Sequence, residues 1–184
     1  MKKRKFKTVA YRLIDREGAA GRTLYGMLAD IVADHHGALL DARIALAWNL
    51  SWTPDVDGRV TLGKCKKASD LDRELAEFDF VIILRQEFVE SGVVTDDQRR
   101  ALIDHELCHA AVAYDDRGEP KMDERGRKVY RIRKHDIEEF TEIVARHGLY
   151  KRDLERFASA IRRRQQVPLL NEETVEVTYR PPAH

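Results

Sequence analysis

The sequence predicts an α+β domain, a twisted sheet of three or more strands packed on one central helix with further helices flanking it. Three observations carry this. Residues 95–114 form a helical stretch free of Gly and Pro, and at its centre His105-Glu106-Leu107-Cys108-His109 spells H-E-x-x-H. Residues 42–52 and 78–84 read as strands, the first by alternation and the second as a continuous apolar run. Amphipathic helical spacing recurs at residues 23–36 and again beyond residue 135.

Composition bounds the rest. The chain has 184 residues, 43% hydrophobic and 35% charged, which fits one domain over residues 1–184 with a core of ordinary size. Its 33 Lys+Arg and 32 Asp+Glu nearly cancel, so no bulk basicity points to nucleic acid. Cys65 and Cys108 make no disulfide framework and read as reduced thiols of a cytoplasmic protein. No apolar run approaches the roughly 18 residues that cross a bilayer, and the basic start MKKRKFK is followed by no signal-peptide core. Residues 1–7 read as a solvated basic tail. Residues 168–184 read as a second tail, in which Val175, Val177 and Tyr179 alternate like an edge strand.

In chain order, the first helix is expected at residues 23–36, with Leu24, Met27, Leu28, Ile31 and Val32 on one face and Gly37 as its stop. His35 and His36 then sit at the negative end of its dipole. Residues 42–52 alternate, with Ile44, Leu46, Trp48 and Leu50 on one side. Pro54-Asp55-Val56-Asp57-Gly58 supplies a turn, and residues 59–64 are expected to return as the hairpin partner. Lys64-Cys65-Lys66-Lys67 then reads as a basic loop near Trp48 and Trp52, which leaves contact with nucleic acid weakly supported. A short helix capped by Ser69 or Asp70 follows at residues 69–77, and residues 78–84 make the best central strand. An extended peptide can pair with an exposed edge of such a sheet.

The helix at residues 95–114 opens with a capping box, Thr95 with Gln98, and Asp96 and Asp97 complement its dipole. Residues four apart share a face, so His105 and His109 can converge on one metal ion. Glu106 beside them then stands as general base toward a metal-activated water. Leu102, His105, His109 and Val112 follow a 3/4/3 spacing, which predicts that the histidine face is buried. Cys108 turns away from both histidines and reads as a small buried hydrophobe.

After a turn at residues 115–120, residues 128–133 alternate like a strand and predict a long hairpin or flap. Helices are expected at 135–147, with Ile137, Phe140 and Val144 inward, and at 151–166. A catalytic zinc takes three protein ligands. The positions three and six beyond His109 hold Val112 and Asp115, not the Gly and His of the metzincin pattern. His135 is the favoured third ligand, with Glu139 four residues on as the group that orients a histidine ring. Glu138 and, more weakly, Asp115 remain alternative ligands. Tyr114 and Tyr130 are core residues or donors to an oxyanion.

Five blocks of this sequence, DARIALAW (41–48), LGKCKKASDLDREL (62–75), DFVIIL (79–84), ALIDHELCHA (101–110) and RIRKHDIEEF (131–140), resemble the H-E-x-x-H zinc metallopeptidases of bacteriophages and prophages. That family is similar to SprT-like zincins, whose third histidine comes from an H-G-x-x-F stretch. Here His135 and Phe140 stand one residue further apart and Asp136 replaces the Gly. The resemblance implies a small zincin-like domain, a Zn2+ cofactor, a peptide or protein substrate and residence in the host cytoplasm. The reading that follows is zinc-dependent hydrolysis of a peptide bond. Its alternative is a metal-containing protein that binds DNA or a host protein without catalysis.

Overall fold

The computed structural model describes residues 10–163. Both expected tails and the end of the last expected helix lie outside them. The fold is α+β, and the described residues form a four-stranded sheet, a separate two-stranded hairpin, six α-helices and one 3-10 turn at Gly37–Leu39. The sheet contains β1 (Tyr11–Leu13), β2 (Ile44–Asn49), β3 (Gly63–Lys67) and β4 (Phe80–Arg85) in the order β1-β2-β4-β3.

β4 is central, as its apolar run predicts. It pairs with β2 in parallel and with β3 antiparallel. The expected hairpin of β2 with the segment after the Pro54 turn is therefore not formed, because β4 lies between the two. Its Phe80, Ile82 and Leu84 have no solvent exposure, and only an inner position lets such a strand satisfy both backbone edges while burying those side chains. β2 is buried at all six positions, so its outer Ala45 and Ala47 are covered as well. The expected basic loop is β3 itself, with Lys64, Lys66 and Lys67 exposed. Trp48 is buried against the core, which removes one of the two aromatics a nucleic-acid platform there would use. β1 is only three residues long, is exposed throughout and was not foreseen; it pairs antiparallel with β2 through Tyr11, Arg12 and Leu13.

One face of the sheet packs against α1 (Ala19–His35) and α4 (Asp96–His109). Leu24, Leu28 and Ile31 of α1 meet Ile103 and Leu107 of α4 in a single cluster with Leu46, Ile82 and Leu84. Each such side chain contributes about 1.5–3 kcal/mol when fully buried. Between β3 and β4, α2 (Asp70–Ala76) is held by a capping box of Ser69 with Asp72. After β4, a short α3 (Gln86–Val89) leads toward α4.

Buried charge ties α2 to the sheet. Arg73 of α2 reaches Asp79 at 2.7 Å, and Asp79 also accepts the Arg43 N–H at 2.8 Å. Arg73 and Asp79 are both buried. Arg73→Ala leaves the buried carboxylate with only the Arg43 guanidinium, 3.5 Å away, so urea unfolding should show a loss of about 3 kcal/mol. A change under 1 kcal/mol would mean that water or Arg43 replaces the pair.

Helix α4 begins at its predicted capping box but ends at His109, five residues before the expected stop. The chain turns extended at Ala110 and becomes β5 (Ala110–Val112), paired antiparallel with β6 (Tyr130–Ile132). Strand pairing here overrides helical propensity. Beyond β5 the backbone folds back twice, at Asp115 and at Asp123. At each turn the Asp carboxylate accepts two backbone N–H groups, and the left-handed position is filled by Gly118 or Gly126. Ala113, Lys121 and Val129 meet where the turns join, each donating its N–H to the carbonyl of another at 2.8 Å in a closed ring of three bonds. The flap is thus a braced double hairpin. Tyr130 anchors it to the sheet, its ring edge-on to Phe80 at 5.1 Å.

Residues 133–140 form no helix or strand and bend at Asp136, and the expected helix starts only at α5 (Thr141–His147). Asp136 pairs with Arg133 at 2.5 Å. Phe140, expected inward, is 71% exposed. The last described element is α6 (Arg152–Arg163), docked through buried Leu154. No helix among the described residues is long and apolar enough to cross a membrane.

Candidate metal centre

The last turn of α4 presents His105 and His109 one above the other, as i,i+4 geometry requires. Just past β6, the segment at residues 133–140 brings His135 to them. The ring nitrogens of His105, His109 and His135 all lie within 4.8 Å of one another. His135 Nε2 is 3.2 Å from His105 Nε2. The expectation that the histidine face is buried is corrected: His105 and His135 are exposed and His109 is half-buried. Ile103, Glu106 and Leu107 form the buried side of α4 instead.

His109 is oriented by backbone. Its Nδ1 stands 2.7 Å from the Arg133 carbonyl, while the Arg133 N–H donates to the His109 carbonyl at 2.8 Å. The first contact fixes a tautomer in which Nδ1 carries the proton and Nε2 is left as a ligand atom. Glu139, expected to hold a histidine ring, does not do so. The helix that would have stacked it on His135 is absent, and its carboxylate is engaged by Lys151 at 2.5 Å, by Tyr150 and by the Phe140 N–H. The Lys151 ammonium first, then the Tyr150 hydroxyl, holds that carboxyl down to about 2. Asp115 is occupied by its turn, and Glu138 is not part of the histidine cluster.

Glu106 is only 4% exposed. Burial pushes its carboxyl above the ordinary glutamate value, while the charge of His109 and the Cys65 N–H pull it back. Its side chain lies against β3 at Gly63, where an added Cβ would stand 2.5 Å from Glu106 Oε1. Gly63 and the Cys65 amide are thus site residues that motif reading missed. The available signal was a glycine inside a strand, which often marks close approach of another group.

The donor set fits zinc. Partial burial, then the neighbouring His109 and His135, keeps His105 below the ordinary histidine value, which favours the neutral, ligating ring. With Zn–N bonds of about 2.0–2.1 Å, tetrahedral ligand atoms lie about 3.3 Å apart, close to the observed 3.2 Å between His105 and His135.

The thiols divide sharply. Burial first, and next the charge of Glu106, pushes the Cys65 thiol up to about 12. Cys108, expected in the core, is exposed because it lies off the Ile103–Leu107 face. Reaction of the native, metal-free protein with a thiol reagent should therefore modify Cys108 alone, with Cys65 following only in denaturant. Equal rates in the native state would contradict the buried position of Cys65.

Tyr130 is core, and Tyr114 is exposed on the flap. Neither reaches the histidines as an assigned donor.

The α+β fold thus sets two histidines of one helix and a third from the segment after β6 beside a buried glutamate, an arrangement able to hold a metal ion. The family model described as "Putative phage metallopeptidase" matches residues 19–162, and the chain belongs to that family. No curated protein and no solved structure matches it.

Proposed function

We propose that the protein is a zinc-dependent peptidase in which His105, His109 and His135 hold the metal and Glu106 is the general base. The observation that carries this reading is the pairing of a solvent-facing three-histidine cluster with a carboxylate buried directly behind it on the same helix. A structural site needs the histidines but has no use for that carboxylate.

A bound zinc supplies a Lewis acid that acidifies water toward pH 7 and polarises a carbonyl. The remaining work falls to the chain. Glu106 takes a proton from the attacking water and delivers it to the leaving amine. The Cys65 N–H holds the carboxylate in place, and the lack of a side chain at Gly63 leaves room for it. The Arg133 carbonyl keeps the His109 ring in one orientation. An extended substrate meets the chain at the Gly63 end of β3, where the sheet edge and Glu106 come together.

Elemental mass spectrometry tests the ligand set. His109→Ala and His135→Ala should each lose one zinc equivalent relative to the unaltered chain, together with hydrolysis of a denatured protein substrate. Zinc fully retained in His135→Ala would move the third ligand to Glu138 or Asp115.

A further inference from the structure

Helix α4 carries a second i,i+4 pair, one residue ahead of the histidines. Asp104 and Cys108 project from the neighbouring face, about 100° around the helix. His36, the C-cap residue just past α1, reaches over to them. Its Nε2 lies 2.7 Å from Asp104 Oδ1, and the ring nitrogen, carboxylate oxygen and Cys108 Sγ all fall within 4.8 Å of one another.

We propose that His36, Asp104 and Cys108 form a second zinc site, which clips the C-terminal end of α1 to the last turn of α4. The donor set carries the choice of metal. Nitrogen, sulfur and carboxylate oxygen together suit a borderline-soft ion such as zinc and not magnesium or calcium, which take oxygen. A carboxylate and a metal-bound thiolate supply two negative charges, which balance a divalent ion, whereas the three-histidine cluster supplies none.

The geometry is close to what the ion requires. Tetrahedral zinc separates nitrogen and oxygen donors by about 3.3 Å, so the His36–Asp104 contact opens by roughly half an ångström on loading. His36 and Asp104 are partly buried and Cys108 is exposed, so small rotations suffice. The Cys108 thiol has no hydrogen-bond partner among the described residues, and none has to be broken. The charged groups felt at Cys108 are Asp104, Arg133 and Asp136, and the last two already pair with each other. The fourth position falls to water. The proposal does not depend on the peptidase reading, because it uses none of the three histidines and not Glu106.

Cobalt separates the two sites, since only a thiolate ligand gives an intense sulfur-to-cobalt charge-transfer band in the near ultraviolet. The metal-free protein titrated with Co2+ should take two equivalents per chain and develop that band. Cys108→Ser should lose the band and one equivalent. His135→Ala should keep the band and lose the other equivalent. Zinc added to His135→Ala should raise its melting temperature and protect Cys108 from alkylation, and a His36→Ala, His135→Ala double variant should show neither effect. A single equivalent without the band in the unaltered protein would overturn the proposal. So would a band that survives Cys108→Ser.

Discussion

Replacing Glu106 by glutamine will sharply reduce peptide-bond hydrolysis and leave the zinc content unchanged. Glutamine keeps the size of the side chain and its acceptor toward the Cys65 N–H, but it cannot take a proton. General-base catalysis is worth roughly 10²–10⁴-fold, so turnover should fall by about 10³-fold. The same substitution should not weaken the fold. Burial raises the Glu106 carboxyl above its ordinary value, so the folded metal-free state disfavours the charged form. That cost is absent below the unfolded pKa and grows as pH rises past it. At pH 7 the metal-free Gln variant should therefore melt at the same temperature as the unaltered protein or higher. Full activity in a clean Glu106→Gln preparation would eliminate this residue as the base.

Gly63→Ala should cost activity without unfolding the protein. The new methyl would meet Glu106 Oε1 at 2.5 Å and Glu106 Cγ and Cδ at 2.9 Å, contacts that real atoms do not tolerate. The backbone of β3 is fixed by its pairing with β4, whereas the end of a glutamate side chain can rotate. The strain therefore resolves by moving the carboxylate. Displacing a catalytic group by about an ångström can cost 10²-fold, so kcat should drop by about that factor, with zinc content retained and the melting temperature little changed. Unaltered kcat would show that Glu106 does not act from the position observed. A large loss of stability would show instead that β3 yields before the side chain does.

What could be read in advance follows the range of the interactions involved. The capping boxes at Ser69 and Thr95 and the apolar run of β4 are local signals, and the elements they mark lie close to where they were expected. The convergence of His105 and His109 depends only on helical pitch, so it too was legible. Failures cluster where distant pairing decided the outcome. β4 enters between β2 and β3, which no local pattern at residues 59–64 reports. Partnership with β6 pulls residues 110–112 out of the helix, although nothing in Ala110-Ala111-Val112 forbids a longer α4. Glu139 looked like a neighbour of His135 only under a helical reading of residues 135–140. Cys108 was placed inside because it turns away from the histidines, but the side of α4 that packs on the core is the one carrying Ile103, Glu106 and Leu107. Gly63 and the Arg133 carbonyl act through backbone, which leaves little mark in a pattern of side chains.

His109 and Arg133 continue the β5–β6 ladder by one rung, and His135 follows two residues later. The intervening loop is already closed by hydrogen bonds that involve no ion, so the conformational entropy of returning His135 to α4 is offset by the hairpin rather than by ligation. A chelator should strip the centre and leave a folded protein that is competent to reload at once. The number of residues between the second and third histidines is then set by turns that lie away from the cluster. Those turns can lengthen or shorten without moving a ring, so in proteins built this way the third histidine is located by a strand register and not by a fixed count from the motif.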